Sequence, residues 1–317
     1  MGLFYCAYRR LNKPTAVRIL RTAGLSTQSH HLTSESPYVR AFGSPNAEKL
    51  KGKDGDFLYF PDFFSQAEQE TLLKLALWKL DRVDSRRRRR RRRKESTEPP
   101  QGPSVGSNNL QCMFDPSSDY GFEDGHFDSV ITRYRESLIT AFPNPSTIGA
   151  PSYSSILKRV YDLLPQSAGS ELARDLYYDK VLPEGSPEIS PALDQPFEQP
   201  LQTSTHALHL APDGYILPHV DNVDASGTVI IGVSLGADRI LRLEEATQDG
   251  PQLKIAHKGW DVLLNSGSLY IQKDSIRYEY AHSILPYGDE SVWNNTQLVP
   301  GHRVSLMVRD IKPEVAS

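Results

Sequence analysis

Thr228-Val229-Ile230-Ile231-Gly232-Val233-Ser234-Leu235 reads as a short strand, and it does not stand alone. Comparable runs lie at 207–210, 239–243, 261–264, 268–271, 277–284 and 303–309, with turn residues between them at short intervals. That rhythm predicts an antiparallel barrel or sandwich such as a jelly roll. The class expected is α+β, with a β core over 201–313 buttressed from outside by the helices that precede it.

Moving outward from these strands, His219-Val220-Asp221 places an imidazole and a carboxylate two apart on an extended segment. Side chains alternate with period two, so both point the same way. His282 follows 63 residues later, and Arg303-Val-Ser305-Leu-Met-Val-Arg309 follows close behind. Two imidazoles and one carboxylate form a facial triad suited to Fe(II), leaving positions open for a co-substrate and dioxygen. Where the co-substrate is the dicarboxylate 2-oxoglutarate, its far carboxylate needs a buried arginine, because a guanidinium matches a carboxylate in two prongs. Arg303, Ser305 and Arg309 share one strand face and can line one pocket. A lone His-x-Asp is a weak signal; the ordered set is a strong one. A hydrolytic zinc or cupin-type site also uses His and carboxylate but leaves the paired arginines unexplained.

With those residues in place, the chain resembles the AlkB-like Fe(II)/2-oxoglutarate dioxygenases, which carry His-x-Asp, a distal His and an Arg-x5-Arg strand in this order. Gly214 to Asp221, Gly267 to Ile271, Arg277 to His282 and Arg303 to Ser305 are similar to its mitochondrial branch, AlkB homologue seven. The likeness extends back to Pro61–Glu68 and His126-Phe-Asp128. The resemblance implies a double-stranded β-helix core and the cofactors Fe(II), 2-oxoglutarate and dioxygen. It makes His219, Asp221 and His282 the metal ligands and the catalytic set. It also puts Arg303 on the distal carboxylate, assisted by Tyr270 or Ser305, with Arg309 near the iron-chelating end. Oxidative decarboxylation of 2-oxoglutarate would drive oxidation of a C–H bond. Members that repair nucleic acid carry Asn and Tyr eleven and nine residues before the first metal histidine; here these positions are Leu208 and Leu210. The departure counts against base repair, not against the iron chemistry. The resemblance to the mitochondrial branch implies a protein or small-molecule (metabolite) substrate and a role in fatty-acid metabolism or programmed necrotic death. Demethylation of alkylated DNA or RNA is the first alternative, and a module that senses iron and 2-oxoglutarate without turnover is the second.

Composition bounds the rest. The 317 residues can bury a sizeable core in one domain or two. No apolar run approaches the roughly 20 residues of a membrane span. Two cysteines, Cys6 and Cys112, exclude a disulfide framework and fit a reducing compartment. Residues 1–34 hold Arg9, Arg10, Lys13, Arg18 and Arg21 with no acid before Glu35, the composition of a mitochondrial transit peptide, so the matrix is the expected location. A disordered basic tail is the plainer account. The net charge is −3; setting aside these five positive charges and the nine of Arg86–Lys94 leaves a body of −17. An acidic body is a poor match for phosphate backbones, so nucleic acid is disfavoured as a partner, and a monomer is expected.

Over 35–84 a strand-turn at 56–64 precedes Ser65-Gln-Ala-Glu68, a capping box opening a helix to about Arg82. Residues 85–109 are low complexity and too charged to pack; a tolerated repeat expansion is favoured over a nucleic-acid patch. Over 110–200, helical spacing at Val130, Ile131, Tyr134 and Leu138, and again at Ile156, Leu157, Val160 and Leu164, predicts two helices. A third is expected over 171–178, and then a Pro-rich loop. His126-Phe-Asp128 is expected to cap or hydrogen-bond in the core, His206 and His209 to face opposite sides in structural or surface roles, and His257 and His302 to lie in turns. Tyr278 and Tyr280 share the His282 alternation and read equally as core filling and as substrate contacts.

Overall fold

A computed structural model describes residues 29–32, 36–45, 55–84, 109–125, 129–150, 153–164, 196–200, 203–222, 227–249 and 252–311. The transit-peptide reading, the arginine run, His126-Phe-Asp128 and the helix expected over 171–178 all fall wholly or largely outside them.

Ten strands make one continuous antiparallel sheet that folds back on itself. Strand β4 (Thr203–His219) bridges its halves. The first half of β4 pairs with β12 (Arg303–Asp310), which pairs with β5 (Val229–Gly236); β5 pairs with β8 (Ser268–Lys273), and β2 (Phe57–Phe60) closes that edge. The last residues of β4 pair with β9 (Tyr280–Ile284), followed outward by β6 (Arg239–Asp249), β7 (Gln252–Leu264) and β1 (Val39–Phe42). This is the jelly-roll core that the strand rhythm predicts. Alternation divides its residues into two sets. Leu208, Leu210, Tyr270, Leu241, Leu243, Tyr280 and Ile284 fill the interior. Ala207, Ile231, Val233, Leu269, Leu306 and Val308 point outward beneath the helices.

Helix α1 (Gln66–Val83) covers that outer face with Leu72, Leu73, Leu75, Ala76 and Leu80, all buried. Its expected capping box is present: Glu68 Oε2 accepts from the Ser65 backbone N–H at 2.9 Å and from Ser65 Oγ at 3.0 Å. Glu68 also accepts from Arg159 of a later helix, so the cap doubles as a tie between helices.

Two expectations are corrected. Residues 130–138 form no helix: Ile131–Leu138 is strand β3, an edge strand on β4. Ile131, Tyr134 and Leu138 keep helical spacing in the sequence, but the open edge of β4 decides, and a bulge between Thr132 and Tyr134 turns Ile131 and Tyr134 to the same interior side. A one-turn helix, α2 (Pro145–Ile148), follows, and then the expected helix, α3 (Tyr153–Tyr161). Residues 277–284 are not one strand either. Helix α4 (Asp274–Glu279) occupies the first half, so Tyr278 and Tyr280 do not share a face: Tyr278 is exposed and Tyr280 is wholly buried. A two-stranded ribbon, β10 (Val292–Trp293) with β11 (Thr296–Gln297), precedes β12. Among the described residues no helix is long and apolar enough to cross a membrane.

Candidate metal and co-substrate site

The two histidines separated by 63 residues are direct cross-strand partners, His219 at the end of β4 facing His282 on β9. Their ring centroids lie 4.2 Å apart. Asp221, just beyond the strand end, turns Oδ1 to within 3.6 Å of His219 Nε2 and 3.9 Å of His282 Nε2. One ligand atom from each of the three lies within 4.8 Å of the others, so one ion can draw on all of them. Strand pairing sets this arrangement, which is why the sequence separation says nothing about distance.

The donors are in a state to bind. His219 Nδ1 lies 2.9 Å from the Leu217 carbonyl oxygen. A carbonyl only accepts, so Nδ1 carries the hydrogen and Nε2 presents its lone pair toward Asp221. His282 is held to about pH 3, by burial first and the neighbouring His219 second, and is therefore a neutral donor. Burial alone would raise the carboxyl of Asp221. The neighbouring His219, His282 and Arg309 side chains outweigh it and hold the group far below the usual range. Arg309 Nη2 sits 3.2 Å from Asp221 Oδ2, yet off the line of a hydrogen bond, so that buried oxygen keeps an unused lone pair. Two imidazoles and a buried carboxylate with spare acceptor capacity fit Fe(II).

Beside this cluster, the interior of the barrel turns polar. Arg303 and Ser305 of β12 are buried and face inward between Leu208 and Leu210 of β4 on one side and Ser234 and Gly236 of β5 on the other. Arg303 Nε donates to Ser234 Oγ at 2.9 Å; burial lowers its pKa, and among the described residues no ion pair to a carboxylate is found for it. Tyr270 reaches the same space from β8, two strands away. It does so because its cross-strand partner is Gly232: a Cβ there would stand 2.1 Å from the tyrosine Cζ and 2.5 Å from its hydroxyl. The ring lies over the bare backbone of β5, stacked on Phe57 at 6.1 Å. Burial raises its pKa, against the charge of Arg303. Thus the structure brings together every residue expected at the site: His219, Asp221 and His282 at one end, Arg309 against the carboxylate, and Tyr270, Ser305 and Arg303 deeper in.

The neighbouring histidines divide as alternation requires. His206 faces the interior side, where burial and the charge of Arg309 lower its pKa. His209 faces outward and is fully buried. Its Nδ1 accepts from Arg135 Nε at 2.9 Å, which leaves its Nε2–H to donate to His302 Nδ1 at 3.0 Å. The His302 Nε2–H in turn donates to Ser117 Oγ at 3.1 Å. Phe114, Tyr120 and Phe122 wall both rings. His302 is therefore not an inert turn residue; it docks the residue before Arg303 onto the outer layer, helped by Gln111, which bonds both its N–H and its C=O. No sequence signal marked this chain, since its members come from four separate segments.

Residues 207–309 are similar to the 2OG-Fe(II) oxygenase superfamily, whose family model they match. Among curated proteins the chain is 37% identical over 111 residues to the mitochondrial alpha-ketoglutarate-dependent dioxygenase alkB homolog 7 of Bos taurus. It is 38% identical over 112 residues to the Mus musculus protein of the same name. Each match covers 35% of this chain and 47% of the relative, so the chain spans about half the length of the relatives it matches. A Pseudomonas putida prolyl-4-hydroxylase structure overlaps 84% of this chain and 96% of its own at 12% identity and a TM-score of 0.37.

Proposed function

We propose that the protein is an Fe(II)- and 2-oxoglutarate-dependent dioxygenase that acts in the mitochondrial matrix on a protein or small-molecule substrate. The single observation that carries this is the convergence of three neutral or anionic metal donors with two inward arginines in one barrel. Bound Fe(II) supplies the oxygen chemistry, in which 2-oxoglutarate, dioxygen and a C–H bond give succinate, carbon dioxide and a hydroxylated product.

The chain's own residues supply the rest. His219, Asp221 and His282 hold the metal from one side and leave the barrel side open. Arg303 pairs with the far carboxylate, and Tyr270 and Ser305 donate to it. Leu208 and Leu210 make the walls beside Arg303 apolar, which keeps water from competing for the guanidinium. Arg309 steadies Asp221 and faces the metal-binding end of the co-substrate. The division of the chain into a targeting segment over 1–34, an N-terminal strand and helix over 35–84, an insertion over 85–109, a supporting segment over 110–200 and the core over 201–313 belongs to the same reading. So does a link to fatty-acid metabolism or programmed necrotic death, which rests on resemblance. The test is succinate release from 2-oxoglutarate under air. It should require Fe(II) and vanish in Asp221→Ala, whose fold should survive because that residue closes no core packing. Succinate formation unchanged in Asp221→Ala would remove the metal assignment.

A further inference from the structure

Gln272 lies near the C-terminal end of β8, two residues beyond Tyr270, and is 2% exposed. Ser268, Tyr270 and Gln272 alternate onto the interior face of that strand. Its Oε1 is buried without a partner, and among the described residues its side-chain amide makes no hydrogen bond. Amide orientation is a matter of assignment, but either orientation leaves a buried polar end unsatisfied. An idle amide in a core costs stability, and a polar group arriving beside it recovers that cost.

Register says where that ligand lies. Ile230 of β5 pairs with Gln272 on one side and with Arg309 on the other. Gln272 and Arg309 thus flank Ile230 on one face, about 10 Å apart at the backbone, which two long side chains can span through one small group. Arg309 contributes its own orphan, a buried Nε without a hydrogen-bond partner. This row is the one nearest the metal cluster, because Arg309 touches Asp221. Arg303 lies three rows deeper along β12. Two unsatisfied polar groups therefore share one row, on either side of Ile230, at the metal end of the barrel interior and away from the end where the far carboxylate is proposed to sit.

We infer that Gln272 is a further binding residue for the 2-oxo-acid end of the co-substrate: with its amide turned so that the NH2 takes the buried position now held by Oε1, it donates to the carboxylate that Arg309 faces from the opposite side. The inference rests on the co-substrate site proposed above. It gives the metal end a neutral donor opposite a cationic one, so a carboxylate is held from both sides without a second buried charge.

The test uses the full chain loaded with Mn(II) without oxygen. Calorimetry follows 2-oxoglutarate directly, and 2-oxobutyrate, which lacks the far carboxylate, by direct titration or displacement. Gln272→Leu should weaken both ligands by the same factor, roughly 10- to 100-fold, the scale of one hydrogen bond to a charged group. Gln272→Glu, which sets a carboxylate against a carboxylate, should weaken both further. The melting temperature of metal-free Gln272→Leu should equal or exceed the parent's, since an unsatisfied amide has been removed from the core; a residue kept for packing would lower it. Loss of 2-oxoglutarate binding alone would move Gln272 to the far-carboxylate end and overturn the inference, as would unchanged affinity for both ligands or a lowered melting temperature. A parent that binds no 2-oxoglutarate would instead bring down the underlying site, an outcome visible before any variant is made.

Discussion

Arg303 shows how one buried charge commits a site to a ligand. It is 2% exposed, and its one hydrogen bond among the described residues goes to a neutral serine. A carboxylate arriving there meets a desolvated guanidinium in an apolar wall. Arg303→Met, which keeps volume and removes charge, should weaken 2-oxoglutarate binding by about 3–5 kcal/mol, the scale of breaking a buried ion pair. Arg303→Lys keeps the charge but loses the fork, and should weaken it less. Calorimetric titration into the Mn(II)-loaded variants decides; equal affinity in Arg303→Met would put the pocket on another strand. His302, one residue earlier, makes a prediction about acid. Burial first, then the charges of Arg135 and Arg239, hold it to about 4 from an ordinary 6.5, against the opposing pull of Asp213. Its Nδ1 already accepts from His209, so a proton there would set two N–H groups against each other. The unfolded imidazole takes its proton near pH 6.5 and the folded one only near 4. Between those values the unfolded state binds more protons, so the contribution is whole above 6.5 and drains as pH falls. Urea melts of the metal-free protein should show this loss, and His302→Gln should flatten the slope across that window while leaving the part due to His282.

At the scale of elements, α1 and β12 press on opposite sides of the same residues. Leu72 is fully buried in the cluster that contains Leu306 and Val308, whose strand neighbours Ser305 and Arg309 point the other way into the site. Leu72→Ala should cost about 2–5 kcal/mol in denaturant melts, from lost burial and the cavity left behind. Because the loss falls on the outer face, Mn(II) and 2-oxoglutarate affinities at temperatures well below the melt should stay near the parent's. A fall in affinity matching the fall in stability would show that the helix layer sets the position of β12 and does more than cover it.

For the whole molecule, the test falls on the arginine-rich segment proposed above as an insertion. The described residues on either side of it are fastened: Asp84 accepts from the Gly121 N–H at 2.8 Å, and Gln111 grips His302. Those ties survive removal of Arg86–Lys94, and shortening a loop changes its closure entropy little. The deletion should therefore leave 2-oxoglutarate affinity and succinate formation unchanged. Any nucleic-acid binding carried by the run should fall steeply with salt in the parent and disappear in the deletion, since it rests on counterion release. Activity lost along with the run would make the insertion part of the site.

Local pattern alone was enough for most of the core strands and for the capped helix α1, because each depends on residues within a turn or two of one another. His219 and Asp221 needed only the two-residue alternation, and Arg303, Ser305 and Arg309 only the parity of one strand. Residues 130–138 show the limit: the local spacing is helical, and the open edge of β4 selects a bulged strand instead. Tyr278 shows it again, since its alternation with His282 dissolves once α4 takes the preceding residues. The meeting of His219 with His282, the reach of Tyr270 over Gly232, the Arg135–His209–His302 chain and the idle amide of Gln272 were decided by tertiary structure. Each is a relation across strands or layers, and cross-strand register is set by the packing of the whole barrel, which no local stretch of chain encodes.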